Sequence, residues 1–414
     1  MLSLPCLYTP ARNEATASCD NRPVIRETIQ QLPASRIREV ANAGLARSDV
    51  LKFWFGEGDQ VTPAFIREAA KAALDAGDTF YNHNIGIIEL RETLAGYSNR
   101  LHRPVVPITS DRIAVTSAGV HALSLVDQAL IDPGDRVVIV TPVWPNLTSM
   151  PRIMSANVVR VALECRDGAW SLDIDRLLDA ATPDTRLVLV NSPNNPTGWT
   201  MPQRDWDALL SHCRQRGIWL VSDDAYERLV FDPALTINGH APGVLAAIDD
   251  EDRVISANTF SKSWTMTGWR LGWLVAPRSF IAQIGKVIEF NTSCAPTFVQ
   301  QAGIVAVRDG ESLVTSTVAR LRASRDLLVE SLAALPGTEG APPPGAMYLF
   351  FRIAGRSDDS LAFAKRLVAE SGLGIAPGVA FGPEGEGFLR WCFAASDALL
   401  LQGVERLQRF LNHT

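Results

Sequence analysis

The chain has 414 residues, 47% of them hydrophobic and 20% charged. That balance excludes a disordered or fibrous protein, and the length predicts two or three domains or one large domain with an appendage. The net charge of −6 argues against a dedicated nucleic-acid binder. No apolar run approaches the ~18 residues of a membrane helix.

The six cysteines are Cys6, Cys19, Cys165, Cys213, Cys294 and Cys392. None forms a CxxC pair, so neither a zinc knuckle nor a redox dithiol is expected, and reduced thiols in a cytoplasm are. The first twenty residues hold only Arg12 as a basic residue, and Pro5 and Pro10 interrupt their apolar stretch; no signal peptide is expected. Of 39 basic residues, 34 are arginine and five lysine: Lys52, Lys71, Lys262, Lys286 and Lys365. Chemistry that needs a primary amine has few possible homes.

In chain order, residues 1–50 read as irregular and polar, with an amphipathic stretch around Pro33–Ala46. Phe53–Phe55 reads as a strand ending in a glycine turn. Thr62-Pro63 opens a helix, with a hydroxyl N-cap and proline at the first helical position, and Gly77 closes it. From about residue 110, strands and helices alternate. Strands are expected at Ile113–Thr116, Arg136–Val140, Val158–Val161, Arg186–Asn191, Ile218–Ser222, Val254–Asn258 and Arg270–Val275. Helices are expected at Ala118–Leu130, Asp173–Ala181 and Pro202–Arg216. This pattern predicts a mainly parallel sheet with helices on both faces. After about residue 297, two long helices (Thr297–Val307 and Glu311–Leu335) precede strands at Met347–Ile353 and Phe388–Phe393. Further helices are expected near Ser360–Ser371 and up to Leu411, the whole forming a separate α+β lobe.

GxGxxG, GxxxxGK[ST], HExxH and GxSxG are all absent. Four other clusters stand at or beyond predicted strand ends, where open α/β sheets bind ligands. Thr116-Ser117-Ala118-Gly119 opens a helix and leaves backbone N–H groups free for an anion, or is a plain helix start. Asn191–Gly198 reads Asn-Ser-Pro-Asn-Asn-Pro-Thr-Gly, a rigid polar loop. Asp223, within Ser222–Tyr226, is either a helix cap or a buried anion awaiting a cation. Lys262 lies among hydroxyls and aromatics in Asn258–Arg270, a setting that would lower its pKa and make it nucleophilic.

Ser192-Pro193-Asn194-Asn195-Pro196-Thr197-Gly198 together with Ser261-Lys262 and Met266-Thr267-Gly268-Trp269-Arg270 resembles the signature of class I/II pyridoxal-phosphate aminotransferases of fold type I. The resemblance runs from about Phe53 to the last strand. It implies a large domain, residues 56–297, with a mainly parallel seven-stranded sheet between helices. A smaller α+β domain would be built from both ends, residues 1–55 and 298–414. It implies pyridoxal 5'-phosphate as cofactor, with Lys262 as the lysine that carries it and moves the substrate proton. Asp223 would pair with the pyridinium nitrogen, Tyr226 and Asn195 would contact the ring oxygen, and Trp144 would stack on the ring. Arg270, Thr259, Ser261 and the backbone at Ala118-Gly119 would hold the phosphate. Arg390 would bind the substrate α-carboxylate, whose planar shape suits a two-donor fork, and Gly56 would lie beside the substrate with Trp144 and Asn195. Tyr81 would reach the neighbouring subunit's phosphate, which implies a homodimer with shared active sites.

Four positions depart from the family pattern. Its usual Gly-Glu-Pro-Asp-Phe is Gly56-Glu57-Gly58-Asp59-Gln60 here, Val120 replaces a lysine or hydroxyl residue, and Thr259 replaces a serine. Gln60 and His83 are either mouth residues or polar surface, and His121 is a helix-face residue. The expected reaction moves an α-amino group from an amino acid to a 2-oxo acid by a ping-pong cycle. The rival outcome on the same fold is elimination, decarboxylation, cyclisation or oxidation. No metal, nucleic acid or membrane partner is implied.

Overall fold

The computed structural model describes residues 24–413, so the readings of the first twenty residues, Cys6 and Cys19 lie outside the described residues. Among the described residues, no helix is long and apolar enough to cross a membrane. Seven strands form the main sheet. They run across it in the order Ile113–Thr116, Gly272–Val275, Val254–Thr259, Trp219–Asp223, Thr185–Asn191, Arg136–Thr141 and Asn157–Ala162. Every pairing is parallel except the two made by Gly272–Val275.

Except for the half-buried edge strand Asn157–Ala162, the strands are buried on both faces, and their alternating side chains feed two separate cores. Val188, Val190 and Leu220 pack with residues of helices Ile88–His102, Gln203–Arg216 and Thr297–Asp309. Leu187, Leu189 and Val221 pack the other way, against helices Gly119–Leu130 and Arg278–Glu289. Apolar runs such as Leu187–Val190 follow from this, because neither face meets water.

The second sheet is antiparallel, in the order Thr338–Glu339, Tyr348–Ile353, Phe388–Cys392 and Ala376–Pro377. Its core joins Phe53, Tyr226, Leu321, Tyr348, Trp391 and Leu407, residues from both ends of the described chain and its middle. Leu51–Lys52 pairs in parallel with Leu373–Gly374, which ties the N-terminal segment to this lobe.

Several elements differ from the sequence expectation. The strand expected at Phe53–Phe55 ends at Lys52; the Phe53 N–H still donates to the Gly374 carbonyl and its carbonyl accepts the Cys392 N–H before the chain turns toward the cavity described below. Thr62 is not the cap of helix Ala64–Asp75: its hydroxyl donates to the Thr265 carbonyl at 2.7 Å, and Pro63 occupies the cap position. Gly77 does follow that helix, at φ +86°. The last strand of the main sheet starts at Gly272, because Arg270 turns at φ +54°. The helix expected at Ser360–Ser371 changes to a wider π turn from Leu367. Helices Ile88–His102, Pro145–Ile153 and Arg278–Glu289 were not expected individually.

Candidate active site

A cavity of about 670 Å³ opens beyond the C-terminal ends of the parallel strands, at the edge where open α/β sheets bind ligands. Asp223 ends its strand there, registered between Asn191 and Ala257. Asn191 fixes the neighbouring loop: its amide donates to the Asp223 carbonyl at 3.1 Å, and its Oδ1 accepts the Asn195 N–H at 2.8 Å. Asn194 accepts from both the N–H and the hydroxyl of Thr197, so the loop is as rigid as its prolines imply. The Ser192–Pro193 and Asn195–Pro196 peptides are cis.

No helix follows Asp223, which leaves the buried-anion reading. Its carboxylate accepts one N–H, from Ala225 at 3.2 Å. Burial pushes its pKa up to about 7, and neighbouring Asp224 adds to the rise. A buried carboxylate facing a cavity with so little compensation suits a cationic ligand group.

Lys262 is partly buried in the opposite wall and donates to the Gly56 carbonyl. Its ammonium lies 5.7 Å from the Tyr226 ring centroid. Burial pulls its pKa down to about 8; Cys392 and Glu57 oppose this, while Arg390 and Arg270 add to it. The amine is therefore partly neutral near neutral pH, as a nucleophile or proton acceptor must be. Gly56 has no room for a side chain, because a Cβ would sit 1.9 Å from the Tyr348 hydroxyl.

Arg390 comes from the middle of the strand Phe388–Cys392, opposite Phe350 and Ala376. It is 2% exposed. It donates to Asn195 Oδ1 at 2.9 Å and to the Trp54 carbonyl, and stacks over the rings of Tyr348 and Phe381 at 4.4 and 4.8 Å. Its Nε is buried without a partner among the described residues, so the guanidinium keeps unused donor capacity beside the cavity. Trp144 lines the cavity just before helix Pro145–Ile153.

At the far end, helix Gly119–Leu130 points its first turn at the cavity, so the Gly119 and Val120 N–H groups lack intrahelical acceptors. Ala118, at φ +100°, is forced into that turn from outside the cavity wall. Gly272 packs beneath it; a Cβ there would lie 2.6 Å from both the Ala118 carbonyl carbon and the Gly119 nitrogen. Thr259 and Ser261 bond each other at 2.9 Å beside this turn. Arg270, exposed, bonds the Thr267 carbonyl at 2.5 Å and lines the same end. Helix N–H groups, hydroxyls and a guanidinium make an anion cradle.

Of the residues named from sequence, Tyr81 stands apart: it is 90% exposed and not in the cavity wall. His83 is exposed and its ring accepts the Ile85 N–H, which fits polar surface. His121 accepts the Ser117 N–H from the first turn of its helix. Gln60 borders a small cavity behind Lys262 rather than the main one. Sequence reasoning missed Tyr348, whose hydroxyl is 2.7 Å from that of Tyr226, and the mouth residues Ile37, Arg38 and Phe55. It also gave no role to Asn258, which lines the cavity. A lone buried aromatic at a strand start gives no signal of function in one sequence.

The donor set fits pyridoxal 5'-phosphate: an amine for its aldehyde, a buried carboxylate for its ring nitrogen and an anion cradle for its phosphate. The family described as "Aminotransferase class I and II" matches residues 49–407, and the chain belongs to it. The aspartate aminotransferase of Pyrococcus horikoshii is 32% identical over 389 residues, spanning 94% of this chain and 97% of that protein. The aspartate/prephenate aminotransferase of Thermus thermophilus is 33% identical over 366 residues, 88% of this chain and 91% of its own. A solved single mutant of Thermus thermophilus aspartate aminotransferase superposes with a TM-score of 0.84 at 32% identity, covering 94% of this chain and all of that one. The protein is a pyridoxal-phosphate-dependent amino-acid aminotransferase of fold type I.

Proposed function

We propose that Lys262 carries the cofactor and that the residues around it run transamination of free α-amino acids with 2-oxo acids. The observation that carries this reading is the meeting of a softened amine, a buried carboxylate and a buried arginine with a spare donor in one cavity. Bound there, pyridoxal 5'-phosphate supplies an electron sink for the pair left on the substrate Cα when its proton departs. Lys262 Nζ accepts that proton and later delivers one. Asp223 stays ionised against the ring nitrogen, which keeps that nitrogen protonated. Tyr226 and Asn195 hold the ring oxygen, and Trp144 covers the ring. Arg270, Thr259, Ser261 and the N–H groups following Ala118 hold the phosphate. Arg390 orients the α-carboxylate, with Gly56 beside the substrate.

The reading extends to the assembly. Residues 56–297 act as the large cofactor-binding domain; residues 1–55 and 298–414 act as the small one. The enzyme works as a homodimer in the cytoplasm, with Tyr81 reaching the partner's phosphate. Support comes from the exposure of Phe80, Tyr81 and Phe290, at 83%, 90% and 91%, bare aromatics that a partner surface would cover.

The test is a half-reaction. A donor amino acid added without acceptor should bleach the visible absorbance of the holoenzyme, and a 2-oxo acid should restore it. The relatives' names make aspartate and aromatic amino acids the first donors to try. Sustained ammonia or carbon dioxide release without any acceptor would overturn transamination in favour of elimination or decarboxylation.

A further inference from the structure

Tyr348 is fully buried at the start of its strand and meets three groups of the site at once. Its hydroxyl lies 2.7 Å from the Tyr226 hydroxyl. The same oxygen fills the space that a Gly56 side chain would need. Its ring forms the platform beneath the Arg390 guanidinium, at 4.4 Å.

Each phenol has one proton to give. Either oxygen can be the donor of this bond, and both residues line the cavity. Only the order in which Tyr348 donates leaves the Tyr226 proton free for the ring oxygen that Tyr226 is proposed to hold. Burial raises the pKa of each phenol, so both hold their protons at neutral pH. We propose that Tyr348 is a positioning residue: it donates its hydroxyl proton to Tyr226, which turns the Tyr226 proton into the cavity, and it braces Arg390 with its ring. This rests on the role of Tyr226 proposed above.

The two functions separate by substitution. Tyr348→Phe keeps the ring and removes the donor. Tyr348→Leu removes both. The readout is the pH titration of the visible absorbance of bound cofactor, together with cofactor affinity by equilibrium dialysis. A weaker Tyr226 donor leaves the ring oxygen less able to hold negative charge, so the titration midpoint should rise. The expected shift for Tyr348→Phe is about 0.5–1 pH unit, smaller than that of Tyr226→Phe. The double variant should match Tyr226→Phe alone. KM for donors should stay within about twofold in Tyr348→Phe and rise about tenfold or more in Tyr348→Leu.

A shift in Tyr226→Phe with none in Tyr348→Phe overturns this inference and leaves the role of Tyr226 standing. No shift in either variant overturns both. A Tyr348→Phe shift that persists undiminished in the Tyr226→Phe background overturns the route through Tyr226. Should the phenylalanine variant not fold, 2,3-difluorotyrosine at position 348 offers the opposite perturbation. It is a stronger donor and should lower the midpoint, and an unmoved midpoint counts against the proposal.

Discussion

At the scale of single residues, Asp223 shows how a site can be prepared before its ligand arrives. Its carboxyl titrates near 7 in the folded protein because burial disfavours the anion. An unfolded chain would release that proton near 3.8. The folded cofactor-free state therefore holds the proton more tightly, and the stability this contributes is lost as pH climbs through that interval. Asp223→Asn should gain stability relative to wild type between pH 4 and 7 in cofactor-free protein, by several degrees in Tm; parallel melting curves would refute the burial argument. In the holoenzyme the same substitution removes the anion beside the ring nitrogen and should slow the half-reaction by about 10²–10⁴.

On the proposed role of Arg390, Arg390→Ala leaves the substrate carboxylate unpaired. That should cost about 2–5 kcal/mol, or roughly 30- to 4,000-fold in kcat/KM, by a comparable factor for every donor. If one side-chain class alone suffers, Arg390 reads side chains instead. Lys262 is tested by borohydride reduction and peptide mapping, which should place the cofactor on that residue and no other lysine. Lys262, Asp223 and Asn195 were legible because lysine is scarce here and because amide and carboxylate stand beside turn signals at strand ends; Arg390, in mid-strand, was legible through the family resemblance alone. Tyr348 was not, since its position makes it look like any residue of an apolar strand.

At the scale of elements, the six buried strands were legible because neither face of the sheet meets water there, and the half-buried edge strand Asn157–Ala162 through its β-branched run Val158-Val159. Helix Ile88–His102 was not. Its cap, Ile87, offers no side-chain acceptor, and its inner face holds polar groups. Polar groups interrupt the apolar stripe of Leu90, Leu94, Ala95 and Leu101: Ser98 bonds back to the Leu94 carbonyl at 2.9 Å, and His102 contacts Glu227 at 3.1 Å. That buried cluster sets an acid limit. His240 lies 4.4 Å from the His102 ring, and burial drops its pKa to about 4. A folded-state value below the unfolded 6.5 means that the unfolded chain takes up the extra proton, so stability should fall as pH drops from 6.5 toward 4. Thermal melts should show His240→Leu losing less over that interval than wild type. A steeper loss in the variant would contradict the assignment. Helix Ile174–Ala180 behaves as the sequence implies: Asp173 accepts the Asp175 and Arg176 N–H groups, and Asp173→Ala should cost about 1 kcal/mol in a denaturant titration.

At the scale of the whole molecule, one chain presents every predicted cavity residue except Tyr81, with Ala118 just behind the wall. A partner's residues cannot be read from a single sequence beyond their resemblance. Mixed dimers supply the test. Subunits carrying Tyr81→Ala, paired with subunits carrying Lys262→Ala, should regain part of the activity that each parent lacks, because one composite site keeps both groups. Exchange of subunits without recovery would exclude a role for Tyr81 in trans.

The cavity wall draws on Ser35 near one end of the chain and Arg390 near the other. On the ribosome these parts appear at different times. Lys262 leaves the exit tunnel 128 residues ahead of Arg390, an interval of about 6–26 s at ordinary synthesis rates. Until then the amine stands without Arg390 and without Tyr348 behind Tyr226. The substrate end of the cavity is thus completed last, and chains truncated before Phe388 should bind no donor amino acid in a dialysis measurement.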